Sequence, residues 1–368
     1  MNPKEIMHRW SGYLQSILPS THLYQVLALA AFSYGAARAR HCHLSRLSAY
    51  VPGRIQPASA LRRLKRLLQN PRLDVEAVCE ELAVWLTRFN APTARLLLLL
   101  DETPHHNNWR VLKVSVCYRK RALPLVWRTD SLSGRPHRQR VFEVLLQTAG
   151  LLARYCPQTQ VVLMADRGLC WPEIIVWCQK HGWHYILRAQ SQTRFLPEAN
   201  PEANPEAALH LGELVAQEGQ WWCGQGRAFA KAGWHEVSVV ACWRSQAQGK
   251  WLLVSDLKPS LHLMRWYARR MWHEQSFRDE KSHGFSWEQS RLKTAEATHR
   301  LLLVIALAQL WLMLMGTQAL LTPWKRQLGL LSHKARTRFS VCRHGWNLLL
   351  WCLNNADFPP CHLRFTPP

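Results

Sequence analysis

Two short apolar runs each end on an aspartate, and they limit the folds open to this chain more than any other feature. Residues 96–100 are five consecutive leucines followed by Asp101 (LLLLLDET), and residues 161–165 lead into Asp166 (VVLMADRG). A run this short without polar alternation predicts a strand buried on both faces, which belongs inside a helix-covered sheet. A carboxylate at the end of such a strand is held rigidly at the sheet's edge. Two of them on neighbouring strands can share a divalent ion through hard oxygen ligands. Either aspartate alone reads equally well as a turn cap.

The surrounding pattern supplies the other layers. Residues 109–118 alternate in part and residues 122–127 follow a basic turn, so residues 96–127 read as a three-stranded meander. Residues 141–152 are apolar at helical spacing. Next come the strand at 161–165, a helix at 172–180 and a strand at 183–188. The order is β-β-β-α-β-α-β, an α/β sheet whose first and fourth strands can lie side by side. From about 190 to 250 the pattern changes: a PEAN-PEAN-PEAA repeat at 197–208 marks a surface loop, and residues 221–223 and 236–243 look like strands of a β-rich insertion. Residues 251–254 return to a buried strand. A single long helix is expected over 261–283 and an apolar one over 295–315. The first 90 residues read as helices near 3–18, 24–37 and 58–68, with a turn at Pro52-Gly53. The last fifty are basic, helical near 346–353, and end in proline-rich coil.

A third acidic residue joins the two aspartates on the long helix. In RWYARRMWHEQSFRDEK, Tyr267, Arg270, Glu274 and Lys281 are spaced by three, four and seven residues. At about 100° per residue they fall near 0°, 300°, 340° and 320°, one stripe about 60° wide. A carboxylate flanked by a phenol and two cations suits a metal-ligating Glu beside groups that grip phosphates. Ordinary i,i+4 pairing of Arg270 with Glu274 on an exposed helix is the alternative.

This pattern, Tyr-x2-Arg-x3-Glu-x6-Lys, resembles the signature of the DDE transposases of the insertion sequence 4 family. Its neighbourhood agrees, with Phe277-Arg278-Asp279-x-Lys281 and the apolar helix downstream, and Asp101 in LLDET and Asp166 in ADRG resemble that family's first two acidic motifs. The resemblance covers residues 96–315 and, more loosely, the helical N-terminus. It implies a mixed five-stranded RNase H-like sheet with flanking helices, a β-rich insertion and a helical N-terminal domain. It also implies an acidic triad of Asp101, Asp166 and Glu274 holding two Mg²⁺ (or Mn²⁺) ions, with Tyr267, Arg270, Lys281 and Arg278 on DNA. Trp251 holds the place of a tryptophan that stacks on a flipped base in hairpin-forming members; such contacts stabilise by about 1–3 kcal/mol. On this reading residues 1–90 bind the terminal inverted repeats and 91–320 are catalytic. Residues 321–368 are a basic segment through which a homodimer can form.

Charge agrees with a DNA partner. Lys and Arg number 47 against 24 Asp and Glu, a net charge of +23, which calls for a polyanion. RNA or an anionic membrane surface would satisfy the same balance, but the basic residues are spread along the chain rather than gathered in a tail. In residues 61–68 Leu61, Leu64 and Leu68 share one helical face and Arg62, Arg63, Lys65 and Arg66 crowd the other. That face can lie on DNA phosphates or simply be solvated.

The eleven cysteines are read as free thiols in the reducing cytoplasm of a prokaryote, at its nucleoid. His41-Cys42-His43 and Cys342-x-His344 lack the paired spacing of a zinc site. The apolar run at 301–315 is shorter than the about 20 residues a membrane span needs and predicts a core helix. An RNase H-like endonuclease that cuts without joining, or a non-catalytic descendant, would share part of this pattern; the second would be expected to have lost an acidic residue.

Overall fold

The leucine run forms the centre of a sheet in the computed structural model, which describes residues 2–90, 95–105, 109–131, 137–198, 207–245, 249–281, 284–321 and 323–355. Strands β1 (Arg95–His105), β2 (Trp109–Tyr118) and β3 (Arg121–Ser131) make the expected antiparallel meander. Helix α6 (His137–Tyr155) returns the chain to β4 (Gln160–Ala165), which lies parallel to β1 with Leu100 opposite Ala165. Helix α7 (Pro172–Lys180) then leads to β5 (His184–Arg188), parallel to β4. The mixed α/β architecture is therefore as the sequence pattern indicates.

The sheet is larger than the five strands expected. The insertion continues the same sheet, in which the described residues form ten strands in the order β3-β2-β1-β4-β5-β10-β9-β8-β6-β7. Strand β10 (Lys250–Ser255) pairs antiparallel with β5 on one side and with β9 (His235–Trp243) on the other. Beyond β9 come β8 (Trp221–Ala228), β6 (Arg194–Pro197) and the two-residue β7 (Leu209–His210). The unpaired edge that β10 would otherwise present is covered by β9. Most of the PEAN repeat, and the chain after Asn355, lie outside the described residues.

Strand alternation sorts the side chains into two layers. Leu96, Leu98 and Leu100 join the larger core with α6, α7 and the N-terminal helices. Leu97 and Leu99, with Met164, Ile186 and Leu253, pack under Leu263, Met264 and Tyr267. The last three belong to α8 (Leu261–Tyr267), and here a second expectation is corrected. The single helix over 261–283 is broken into α8, a 3-10 turn at Ala268–Arg270, and α9 (Met271–Glu280). A 3-10 turn advances 120° per residue instead of 100°, so the four motif residues do not lie along one straight α-helical stripe.

Among the described residues five helices precede the sheet: α1 (Pro3–Ile17), α2 (Leu23–Ala39), α3 (Leu44–Ala49), α4 (Pro57–Gln69) and α5 (Val75–Asn90). They close around α10 (Ala295–Ala319), whose Trp311 ring stacks on Trp10 at 5.3 Å and lies 5.7 Å from Tyr34. Helix α10 has 25 residues, long and apolar enough to cross a membrane, yet it is almost wholly buried inside the fold. Its other flank meets α13 (Val341–Asn355) at very close range. A Cβ on Gly316 would overlap the Val341 carbonyl oxygen, and one on Gly345 would overlap the Leu312 carbonyl oxygen. Alanine is the better helix former by about 1 kcal/mol, so Gly345→Ala separates propensity from packing. The expected result is a loss of about 3 kcal/mol or more in denaturant unfolding; a stabilised variant would contradict the close crossing.

Candidate active site

The same alternation that buries Leu97 and Leu99 points Asp101 toward α8 and α9, and Met164 and Ile186 likewise predict the directions of Asp166 and Arg188. Leu100 is opposite Ala165 and Ala165 is opposite Leu187. Asp101, Asp166 and Arg188 therefore stand next to one another where the parallel pairing of three adjacent strands ends; β1 does not stop at Asp101 as expected but runs on beside β2 to His105. Asp101 is 8% exposed and accepts the backbone N–H of Glu102 at 2.9 Å. Asp166 is half-buried and caps the following 3-10 turn, accepting the Gly168 N–H at 2.9 Å.

Arg270, at the end of the 3-10 turn, joins the strand carboxylates to the helix. Its Nη1 donates to Asp101 Oδ2 at 2.6 Å and its Nη2 to Glu274 Oε1 at 2.9 Å. Burial pushes the Asp101 carboxyl up to about 6; Asp166 and Glu274 push the same way, against Arg270 and the Glu102 amide. For Arg270 itself burial acts to lower the pKa, but Asp101, Tyr267, Asp166 and Glu274 outweigh it and the guanidinium is held charged. Three acids and one arginine thus form a single electrostatic unit.

Its walls are aromatic and basic. Tyr267 is 2% exposed, its hydroxyl has no hydrogen-bond partner among the described residues, and burial raises its pKa. Trp251, on β10, meets the Tyr267 ring edge-on at 5.4 Å and carries the Arg244 guanidinium 5.9 Å from its own centroid. Lys281 reaches back to β1, donating to the Pro104 carbonyl at 2.7 Å and pairing with Glu288 at 3.2 Å. Arg278 is exposed on α9. All the motif residues except Arg278 therefore touch the strand ends or each other. Arg62, Arg63, Lys65 and Arg66 form the exposed face of α4, whose Leu64, Leu67 and Leu68 are buried. No described contact joins those four to the carboxylates.

Several residues here escaped the sequence reading. Arg188 donates from Nη2 to the Lys250 carbonyl at 2.8 Å, while its buried Nε has no partner among the described residues. Burial lowers its pKa, and Tyr267, Arg167, Arg270 and Asp166 all act on it. The strand-end rule that singled out the two aspartates would have found it on β5. His273 is 1% exposed, its Nε2 is 3.2 Å from Ser115 Oγ, and its Nδ1 is 4.0 Å from Asp101 Oδ2. Burial, with Lys113 and Arg270 nearby, holds its pKa well below the usual value, so it faces Asp101 as a neutral ring. Lys113, opposite Asp101 in register, pairs with Glu280 at 2.5 Å, both side chains only 3% exposed. Arg121 pairs with Asp279 at 2.5 Å, and Ser276 Oγ accepts the Ala122 N–H at 2.8 Å. These ties fasten α9 to β2 and β3 and so fix the height of Glu274 over Asp101.

The His and Cys fragments elsewhere have other partners. Cys42 and Cys342 are buried, His41 bonds Gln289 at 2.9 Å, and His344 bonds the Arg336 carbonyl at 3.0 Å. Among the described residues no three His, Cys, Asp or Glu side chains are disposed to hold one ion as they stand.

A family model described as a transposase DDE domain matches residues 97–311, more than half of the chain. The chain belongs to the DDE transposase family. The match opens inside β1 and closes within α10, so this transposase carries Asp101, Asp166 and Glu274 inside the matched domain and its five N-terminal helices outside it. No curated protein matches the chain.

The buried Lys113–Glu280 pair is the transposase's firmest tie on α9, and its removal is directional. Glu280→Gln leaves a buried ammonium without its counter-charge and is expected to cost about 3–5 kcal/mol, whereas Lys113→Met with Glu280→Leu recovers most of that loss. Thermal and denaturant unfolding measure both, and equal stability of Glu280→Gln and wild type would contradict the pairing.

Proposed function

We propose that this transposase is a cut-and-paste enzyme of the insertion sequence 4 type, with an RNase H-like catalytic core and an acidic triad of Asp101, Asp166 and Glu274. One observation carries the reading: Asp101, inside β1, and Asp166, just past β4, stand side by side where the parallel pairing of the two strands ends, and one arginine links the first of them to a glutamate on the facing helix. The strand order β3-β2-β1-β4-β5 within the sheet supports it, as does the match of residues 97–311 to a transposase DDE domain.

The donor set is three carboxylates, hard oxygen ligands suited to Mg²⁺ or Mn²⁺. Two such ions held by Asp101, Asp166 and Glu274 would supply Lewis acidity at the scissile phosphate and an activated water. The protein's own residues do the rest. Arg270, Arg188 and the Tyr267 hydroxyl offer donors to phosphate oxygens at the strand ends, and Lys281 and Arg278 extend that grip along α9. Trp251, beside Tyr267, is placed to stack on a base turned out of the helix, as hairpin formation requires. The sheltered walls of the site keep charge interactions strong. The exposed basic face of α4 would bind the terminal inverted repeats through phosphates, and the segment after residue 320 would join two copies across paired ends. Its place of action would be the prokaryotic cytoplasm, at the nucleoid.

Neutral isosteres test the triad. Asp101→Asn, Asp166→Asn and Glu274→Gln are each expected to lower nicking of transposon-end DNA in Mg²⁺ by at least about a thousandfold, with the fold retained by circular dichroism. A normal nicking rate in any of the three would remove that residue from the triad. With pre-cut ends the wild-type protein is expected to give joined products; cutting without joining would instead favour an RNase H-like endonuclease.

A further inference from the structure

The contact between Arg270 and the carboxylates has a consequence for when the site can work. Its fork is divided, Nη1 on Asp101 at 2.6 Å and Nη2 on Glu274 at 2.9 Å, and its side chain is only 11% exposed. Two of the three carboxylates are thus engaged with a fixed positive charge lying between them. A divalent cation entering there would meet the guanidinium at close range and compete with it for the same oxygens.

We propose that Arg270 is a built-in counter-ion that keeps the acidic centre closed to divalent cations until a DNA phosphate draws its guanidinium away. The proposal rests on the triad reading above and adds an order of events to it. An arginine leaves two carboxylates only for an anion of comparable strength, and a phosphate accepts the same bidentate fork. The neighbouring donors are ready for such an anion. Arg188 Nε and the Tyr267 hydroxyl are buried without partners among the described residues, and both groups act electrostatically with Arg270. A phosphate arriving there would satisfy these donors, release Asp101 and Glu274, and admit the metal. Linkage then makes DNA and metal bind cooperatively, so the nuclease is armed on DNA and held inactive away from it. The opposite role is equally concrete: if Arg270 only preorganises the two carboxylates, removing it loosens the site and weakens metal binding.

Mn²⁺ binding to the full-length protein without DNA separates the two, read from the free-ion signal in electron paramagnetic resonance. Arg270→Gln is expected to bind Mn²⁺ at least tenfold more tightly than wild type; equal or weaker binding overturns the proposal. Arg270→Met, of similar length but uncharged, is expected to gain at least threefold and serves if the glutamine variant does not fold, with no gain again overturning it. Adding Asp101→Asn to Arg270→Gln should abolish the gain. If the gain survives that change, the ion sits elsewhere and the triad reading fails; if binding needs Asp101 but Arg270→Gln gains nothing, only the counter-ion role fails. A mixed-sequence DNA duplex, added at fixed ionic strength, should tighten Mn²⁺ binding more in wild type than in Arg270→Gln, and equal tightening overturns the DNA-driven release.

Discussion

The parallel pairing of β1 with β4 ends with Leu100 opposite Ala165, and so places two carboxylates side by side at the mouth of the gap between the two strands. That arrangement is intrinsically unfavourable, because burial and like charge both resist ionisation. Asp101 shows the cost, with its carboxyl pushed up to about 6 chiefly by burial. The Arg270 fork offsets it by placing a charge that cannot be lost between Asp101 and Glu274. The acidic centre is therefore a strained group held in balance by one cation, and the surrounding structure preserves that balance.

Two kinds of support are visible. From below, the alternating leucines of β1 fix the strand in both layers, so a slip of one residue would turn Asp101 to the wrong face. From above, α9 is tied to β2 and β3 by Lys113–Glu280, Arg121–Asp279 and the Ser276 hydroxyl. Behind them, α10 runs through the helical half of the molecule, sheathed by α2 and α13 and held close to α13 by Gly316 and Gly345. The N-terminal helices thus pack onto the same buried helix that ends the matched transposase domain. A basic face on α4 is anchored to the catalytic half through that common core.

Much of this was legible in the sequence, for local reasons. Asp101 and Asp166 stood out because the apolar runs before them are too short and too uniform to be anything but buried strands. Tyr267, Arg270, Glu274 and Lys281 stood out by spacing. What escaped was set by tertiary pairing. Nothing in residues 250–255 announces that β10 will join β5 to β9, so the sequence pattern alone does not show that the insertion continues the sheet. The break at Ala268–Arg270 carries no Gly or Pro. Lys113 and Glu280 are 167 positions apart and each looks like an ordinary surface charge until the fold buries both. Helix α5 was the avoidable miss, since Asp74 caps it by accepting the Ala77 N–H at 3.0 Å and an amphipathic run follows. Arg188 carries the same local signal as the aspartates, a charged residue directly after a short apolar run.

The central claim is that Asp101, Asp166 and Glu274, far apart in the chain, surround one divalent-ion centre when the transposase is on DNA. Substituting Fe²⁺ for Mg²⁺ and adding ascorbate with peroxide generates hydroxyl radicals at the bound ion, which cut the polypeptide near it. In the DNA-bound protein the account predicts backbone cuts clustered around residues 101, 166 and 274, suppressed together by excess Mg²⁺ and lost in Asp101→Asn. Cuts at unrelated positions, or a pattern that Mg²⁺ leaves unchanged, would contradict it.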